Sequence, residues 1–330
     1  METMSEHYQR AFGKFIKKAR IERKMTQVEL SWNEEESREI CSVRELQYIE
    51  KGEGKVKPVL MEQLMERLGI DLKEWEKEVD REIKGRFDNA FDRIERDLVK
   101  KRYEKAREGY QGLIEQTYYP KKRAYYRQHL GYLEVSIEKD EDGQKQEAIE
   151  GLRKILKISK PALFLKDGRV NIEYLASNIC TLIEYRMLNL LSTKLTQEEA
   201  PSDSKAVTEA LISSLKLELV EIGIKRKLLP GACFNLSNDL FDVGAYEEML
   251  EVCREGIEVG LGGGLLEVIP YLKYNEGKAL WYLGRKEGAF IKFKGARDLF
   301  LALEEPHNAD HIEEITAEKY RMDWNEVRDV

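Results

Sequence analysis

The sequence predicts an all-α protein in which a short N-terminal helix-turn-helix domain precedes a right-handed α-solenoid of helical hairpins. Three observations predict this fold. Apolar residues recur at spacings of three and four along most of the chain, and strand-like alternation is absent. The 330 residues include only 7 prolines, the residue that most often interrupts helices. Beyond residue 87, a helical pattern repeats at an interval of about 40 residues.

Hydropathy and cysteine usage limit the class of protein. No run of about 18 apolar residues occurs, so we expect no transmembrane helix. The first residues lack the basic and apolar regions of a signal peptide. The cysteines are scattered without a CxxC pair and stand at Cys41, Cys180, Cys233 and Cys253. Free thiols of this kind indicate a reducing compartment, and we predict a cytoplasmic protein.

The first helix is basic on an acidic chain. Residues 10–24 contain seven lysines and arginines against Glu22 alone, whereas the whole chain has a formal net charge of −7. A basic surface of this kind can lie against a phosphate backbone. The alternative is an ordinary solvated face, because charge runs are common in a chain with 35% charged residues.

Capping signals predict the next two helices. Thr26 is followed three residues later by Glu29, which forms the capping-box pattern at a helix start. Ser42 and Glu45 repeat that pattern and predict the start of a third helix. The segment between them is long and acidic for a turn, with a Glu34-Glu35-Glu36 run. We expect this insert to extend the second helix, and its acidic run would repel DNA if it faced a groove.

Two further helices complete the N-terminal half. A fourth is predicted from Pro58 to the stop at Gly69. Residues 71–86 then predict a charged linker helix with a narrow apolar seam, formed by Trp75, Val79 and Ile83. The seam fits packing against a neighbouring helix or a partner subunit, and a solvated spacer helix is the alternative.

The repeated pattern is clearest in two segments near residues 234 and 274. Four pairs of positions fall into one register: Gly277 and Ser237, Leu280 and Leu240, Gly284 and Gly244, Ala289 and Met249. This register resembles the tetratricopeptide repeat, in which a small residue lets two helices approach and a glycine joins them in a turn. The early tryptophan of that repeat is missing. Weaker copies, and a predicted first helix over Asn171–Leu191, bring the expected number of hairpins to about five.

The segments Thr26–Leu30 and Ile49–Gly52, with the later Pro58 and Gly69, resemble the Xre/Cro-type helix-turn-helix of repressors over roughly residues 10–70. The resemblance implies that the third helix enters the major groove of DNA. Arg44 is the best candidate base reader, because a guanidinium can bridge O6 and N7 of guanine. The predicted DNA-binding residues are Gln27, Ser42, Val43, Arg44, Gln47, Tyr48 and Lys51.

The repeats predict a ligand face on their first helices. In the register above, asparagines and aromatic residues recur at matching positions, and amides with aromatic neighbours suit an extended peptide. The alternative is that the asparagines bridge adjacent hairpins. The predicted peptide-binding residues are Tyr174, Asn178, Phe234, Asn235, Asn238, Tyr274, Asn275 and Lys278.

A helix-turn-helix, a linker helix and degenerate tetratricopeptide repeats together resemble the Rgg/PlcR-type (RRNPP) quorum-sensing regulators. The resemblance implies a DNA-binding domain over 1–70, a linker helix over 71–86 and a repeat domain over 87–330 that binds a signalling oligopeptide and forms a homodimer. The alternative is a Rap-like adaptor that binds another regulatory protein, with DNA binding secondary. No nucleophile–base pair, metal-ligand set or phosphate loop is evident, so we expect a non-enzyme without metal or cofactor.

Overall fold

The computed structural model describes residues 6–34, 37–53, 56–116, 121, 123–137, 145–197, 201–263 and 265–324. These residues are mostly helical, and the chain divides into two compact units, residues 1–126 and 127–330. The helices of the first unit and of its boundary are α1 (Glu6–Glu22), α2 (Gln27–Ser31), α3 (Val43–Lys51), α4 (Pro58–Arg67), α5 (Leu72–Val99), α6 (Tyr103–Glu115) and α7 (Ala124–Ile137). Those of the second unit are α8 (Lys145–Leu156), α9 (Ile172–Ser177), α10 (Leu182–Gln197), α11 (Pro201–Lys216), α12 (Ile222–Asp242), α13 (Tyr246–Gly263), α14 (Ile269–Tyr282), α15 (Lys286–Ala302) and α16 (Pro306–Tyr320).

The first unit begins with the predicted helix-turn-helix, and both predicted N-terminal caps occur. The Thr26 hydroxyl and the Glu29 carboxylate exchange backbone hydrogen bonds as a complete capping box. The Ser42 hydroxyl accepts the backbone N–H of Glu45 at 3.1 Å. Helix α3 ends at Gly52, whose φ of +75° places it in the left-handed region that closes helices.

The long insert differs from the prediction. Helix α2 stops at Ser31 and is not extended; the chain then forms an antiparallel hairpin of β1 (Trp32–Asn33) and β2 (Arg38–Glu39). β-branched and aromatic residues are scarce here, so neighbouring contacts rather than propensity must hold the hairpin. One such contact is the hydrogen bond from Arg67 Nε on α4 to the Trp32 carbonyl, at 3.2 Å.

The apolar seam of the predicted linker helix packs within its own unit. Trp75 is fully buried, and its ring lies 5.2 Å from Phe12 and 5.4 Å from Tyr8, both on α1. Val79 is buried in the same core, and Ile83 packs against it. The seam therefore joins the start of α5 to the helix-turn-helix, rather than serving as a solvated spacer.

Helix α5 also extends beyond the predicted linker. It runs without a break through residue 86 to Val99 and packs against α6. The boundaries proposed at 70/71 and 86/87 thus lie within the first compact unit and stay a prediction.

The second unit is a row of helical hairpins. α10 packs on α11, α12 on α13 and α14 on α15, and α16 covers α15. Gly244 and Gly284, the predicted turn glycines, adopt φ values of +74° and +78° at the ends of α12 and α14. At Gly277 a Cβ atom would lie 2.5 Å from the Phe293 ring, so the small residue of the register does permit close approach of α14 and α15.

One predicted helix is wrong. Residues 171–191 do not form a single first helix: α9 ends at Ser177, and α10 begins at Leu182 after a break. The Asn178 side chain explains the break, because its Nδ2 donates to the Tyr174 carbonyl at 2.8 Å and competes with continued helix formation. The first helix of this hairpin is α10.

The predicted fold class is confirmed: a helix-turn-helix is followed by tetratricopeptide-like helical hairpins. All four cysteines are free and buried, as expected of unpaired thiols. Within the described residues, no helix combines the length and the apolar character that a membrane span requires.

Candidate functional sites

A buried charge pair holds the helix-turn-helix together. The Arg20 guanidinium on α1 donates to both carboxylate oxygens of Glu50 on α3, at 2.6 and 3.0 Å. The two side chains are only 12% and 3% exposed. Hydrogen bonding to Glu50 raises the pKa of Arg20, and a third bond goes from Arg20 to the Met25 carbonyl at 2.9 Å. The pair fixes α3 against α1 and the α1–α2 turn.

The pair continues outward into a chain of amides. Gln27 Nε2, at the start of α2, donates to Glu50 Oε2 at 2.9 Å. This bond leaves Gln27 Oε1 free to accept from Gln47 Nε2 at 3.3 Å. Gln27 and Gln47, two predicted DNA-binding residues, are therefore oriented by a buried carboxylate. The Arg20–Glu50 pair was not predicted, because a charged residue inside a charged helix carries no sequence signal that it is buried.

The outer face of α3 carries the remaining predicted DNA-binding residues. Ser42, Arg44 and Lys51 are exposed and Val43 is half-buried. Tyr48 is 43% exposed, and its ring centroid lies 5.9 Å from the Arg44 guanidinium. The inner face consists of Leu46 and Ile49, which are buried in the core. The geometry thus presents a guanidinium and an amide on a rigid helix whose opposite side is packed.

The basic surface of α1 is smaller than its sequence implies, because Arg20 is turned inward to Glu50. The other cations of the helix and its end are exposed to solvent: Arg10, Lys14, Lys17, Lys18, Arg23 and Lys24. This face remains positively charged and can attract phosphates.

The acidic insert is partly neutralised by α4. Glu34, at the end of the first hairpin strand, lies 3.6 Å from the Arg67 guanidinium. Glu35 and Glu36, the rest of the predicted repulsive run, lie outside the described residues. The contact with Arg67 ties the start of the hairpin to α4.

The repeated asparagines of the second unit form bridges between hairpins. Asn235 Nδ2 on α12 donates to Asn189 Oδ1 and Thr193 Oγ1 on α10, each at 3.0 Å. Asn275 Nδ2 on α14 donates to Ser237 Oγ at 2.7 Å and to Asn238 Oδ1 at 2.9 Å on α12. These bonds favour the alternative interpretation for Asn235 and Asn275.

Two of the residues that bridge adjacent hairpins were not predicted from the sequence, and one predicted residue lies elsewhere. Asn189 and Thr193 on α10 take the place that the sequence register assigned to Asn178. Asn178 instead caps α9 through the Tyr174 carbonyl. The sequence signal for this helix was the Thr181–Glu184 capping box at the start of α10, which the assumption of one long helix concealed.

Four of the other predicted ligand residues lie on α12 and α14, where these helices meet, whereas Tyr174 lies on α9. Phe234, Asn238, Tyr274 and Lys278 are all half-buried. The Lys278 ammonium lies 3.7 Å from the centroid of the Phe241 ring and 5.8 Å from that of Tyr274. Desolvation lowers the pKa of Lys278 and raises that of Tyr274. The structure therefore brings an ammonium, an amide and aromatic rings together on one face.

A buried carboxylate lies on α12, next to Asn238 in the sequence. Asp239 on α12 is 1% exposed and accepts hydrogen bonds from Thr196 Oγ1 and Ser204 Oγ, both at 3.0 Å. Desolvation raises the pKa of Asp239, against the lowering effect of the two hydroxyls. The cluster links α10, α11 and α12.

Comparisons with known proteins identify the fold. No protein-family model matches the chain, and no curated protein matches it significantly. Among solved structures, PlcR from Bacillus thuringiensis in its apo form is similar, with a TM-score of 0.65 and 17% identity over 92% of this chain and 98% of PlcR. PlcR in complex with the peptide PapR7 and DNA is also similar, with a TM-score of 0.57 and 19% identity over 92% of this chain and 99% of that one. The chain therefore has the fold of PlcR, with a helix-turn-helix followed by helical repeats.

Proposed function

We propose that the chain is a DNA-binding transcription regulator whose activity is switched by a short signalling peptide bound to its repeat unit. In this proposal it is a cytoplasmic homodimer of the RRNPP class and not an enzyme. The fold shared with PlcR, a protein solved in complex with a peptide and DNA, supports the proposal over nearly the whole chain.

The observation that carries the proposal is the outer face of α3. Arg44 and Gln47 project from a helix whose inner face is locked by Leu46, Ile49 and the buried Arg20–Glu50 pair. A rigid helix with an exposed guanidinium and amide meets the requirement for reading base edges in the major groove. Because the helix itself is held in place before binding, little backbone conformational entropy is lost on contact.

Within this proposal the remaining contacts divide by chemistry. Gln27, at the amino end of α2, and Ser42, Tyr48 and Lys51 would hold the phosphate backbone, where N–H, hydroxyl and ammonium donors suit phosphate oxygens. Val43 would contact a base or its methyl group. The exposed cations of α1 would add attraction that does not depend on sequence.

For the peptide, we propose contacts by Phe234, Asn238, Tyr274 and Lys278, which share the α12–α14 face. Asn235 and Asn275 would support that face by holding the hairpins in register. Tyr174 and Asn178 belong to α9 and its cap, and a peptide contact there stays a prediction. The peptide must favour one arrangement of the protein, since a ligand with equal affinity for two states shifts neither.

The experiment is fluorescence anisotropy with the full chain and promoter DNA adjoining its own gene, measured over a range of salt concentrations. We expect Arg44→Ala to weaken specific binding by about 1–3 kcal/mol and to relax base preference at one position. The matched control is Arg226→Ala, which removes an exposed arginine from the repeat unit and should leave DNA affinity unchanged. Specific binding unaffected by Arg44→Ala would refute the assignment of α3, and no DNA binding at all would favour a protein-interaction adaptor.

The peptide half of the proposal is tested by the same assay with short synthetic peptides encoded near the gene. We expect one of them to change DNA affinity, and Asn238→Ala to reduce that response. If no peptide alters DNA affinity or oligomeric state, the peptide-sensing role is wrong.

A further inference from the structure

The α12–α14 face carries a hydrogen-bond donor, the side-chain amide of Asn238, whose orientation is fixed by bonds inside the protein. The Ser237 hydroxyl donates its proton to the Phe234 carbonyl at 2.7 Å, so toward Asn275 it can only accept. The group that Asn275 points at Ser237 must then be its amide nitrogen. The second proton of that nitrogen goes to Asn238, which must present its oxygen.

The consequence is that the amide nitrogen of Asn238 faces away from the bridge. Among the described residues it donates no hydrogen bond, and the side chain is half-buried on the α12–α14 face. Asn238 therefore offers N–H donors to this face, while its side-chain oxygen already accepts a hydrogen bond from Asn275.

Lys278 adds a cation next to this donor. On α12, Phe241 lies three residues after Asn238; on α14, Lys278 lies three residues after Asn275. The Asn238–Asn275 and Phe241–Lys278 contacts thus join the two helices at successive positions, about one helical turn or 5 Å apart. The Lys278 ammonium packs on the Phe241 ring and makes no hydrogen bond or ion pair with any described residue. Asp242 influences it through space only.

Buried charge normally carries a matching partner. Lys292 on α15, in the same unit, has such a partner, because it donates to the buried Glu276 carboxylate at 2.8 Å. Among the described residues, Lys278 has aromatic ring faces against it, which stabilise a cation but satisfy none of its three N–H donors. An ammonium and an amide N–H, one turn apart and without a local acceptor, match the two oxygens of a carboxylate.

We propose that Lys278 and Asn238 form a subsite for a carboxylate of the bound peptide, either an acidic side chain or the C-terminal carboxylate. This inference rests on the proposed peptide-binding function and adds the chemical class of the ligand. The aromatic residues around the subsite would shield the ion pair from water and so strengthen it.

The test uses the full chain and random heptapeptide libraries, one with a free C-terminus and one amidated. We expect the wild type to enrich peptides that carry a carboxylate at one position. Enrichment of Asp or Glu that survives amidation identifies a side chain, and enrichment lost on amidation identifies the C-terminus. Lys278→Met should reduce this preference about tenfold or more, whereas Lys278→Arg should retain it.

The control is Lys273→Met, the same substitution on the same helix at a side chain that packs beside Gly295 on α15. It should leave the preference unchanged. Lys278→Met replaces a desolvated amine by an apolar side chain and is expected to fold, which a thermal melt checks. A carboxylate preference that persists in Lys278→Met, or a wild type that enriches peptides without any such preference, would overturn the subsite while leaving peptide binding intact. A wild type that binds no peptide from either library would overturn the proposed function, and the subsite with it.

Discussion

Replacing Glu50 with alanine is expected to destabilise the helix-turn-helix strongly. Its carboxylate accepts two bonds from Arg20 and one from Gln27, and its side chain is 3% exposed. Without it, the Arg20 guanidinium remains at a site where it is 12% exposed and has lost its only anionic partner among the described residues.

The expected size follows from the burial. Removing one member of a buried ion pair costs about 3–5 kcal/mol, because the other charge stays desolvated. Arg20 keeps its hydrogen bond to the Met25 carbonyl at 2.9 Å and some contact with solvent, so we expect the lower end, about 3 kcal/mol. That is a large part of the roughly 5–15 kcal/mol that stabilises a typical domain.

A double variant separates stability from function. Arg20→Met with Glu50→Leu replaces the pair by apolar side chains of similar volume, and such replacements are often neutral or stabilising. We expect stability to return to within about 1 kcal/mol of the wild type. Its DNA affinity should nevertheless be below that of the wild type, because Gln27 has lost the acceptor that orients it toward Gln47.

The assay is native-state hydrogen exchange of the Leu46 and Ile49 amides, which reports on the first unit alone, combined with DNA anisotropy. A loss below about 1 kcal/mol in Glu50→Ala would refute the argument from burial. A double variant as unstable as the single one would refute the pairing argument. Full DNA affinity in the double variant would refute the positioning role of Glu50.

Three other predictions concern packing, pH and thiol reactivity. Gly13→Ala should destabilise the first unit by about 1–3 kcal/mol or more in urea titration, because its Cβ would lie 1.9 Å from the Ile49 carbonyl oxygen. Burial raises the pKa of Asp239, so ionisation of this carboxyl opposes folding. The wild type should therefore lose stability relative to Asp239→Asn as the pH rises above about 4, as measured by urea titrations of both proteins. Burial raises the pKa of Cys233 and of Cys253 to about 12, so iodoacetamide at pH 8 should label neither thiol in the folded protein and both after unfolding, as read by mass spectrometry.

A Gly13→Ala protein with wild-type stability would show that α1 and α3 separate without cost. A stability difference between the wild type and Asp239→Asn that does not change with pH, or changes with the opposite sign, would refute a raised pKa. Rapid labelling of either cysteine in the folded protein would show that α12 and α13 open readily.

The sequence predicted elements whose signals are local. The caps at Thr26 and Ser42, the turn glycines at Gly244 and Gly284, and the small residue at Gly277 each depend on a few neighbouring residues. The fold class followed from the repetition of such signals. These features can be predicted because the residues that cause each of them lie within one short segment of the chain.

What escaped prediction depends on contacts distant in sequence. Arg20 and Glu50 are 30 residues apart, and nothing local shows that a charged residue of each helix turns inward. The insert forms a hairpin held in part by Arg67, 35 residues after Trp32. The bridge through Asn189 was not predicted, because the sequence register assumed one helix over residues 171–191. The Asn178 side chain ends α9, and the bridging residue lies on the next helix, α10.

Base recognition by α3 can be measured by selecting DNA from a randomised duplex library with the full chain, using the wild type and Arg44→Ala. We expect the wild type to enrich one sequence motif, and Arg44→Ala to lose the preference for guanine at one position while it keeps its salt-dependent affinity for DNA. A wild-type protein that enriches no motif, or an Arg44→Ala protein that selects the same motif with the same strength, would contradict this expectation.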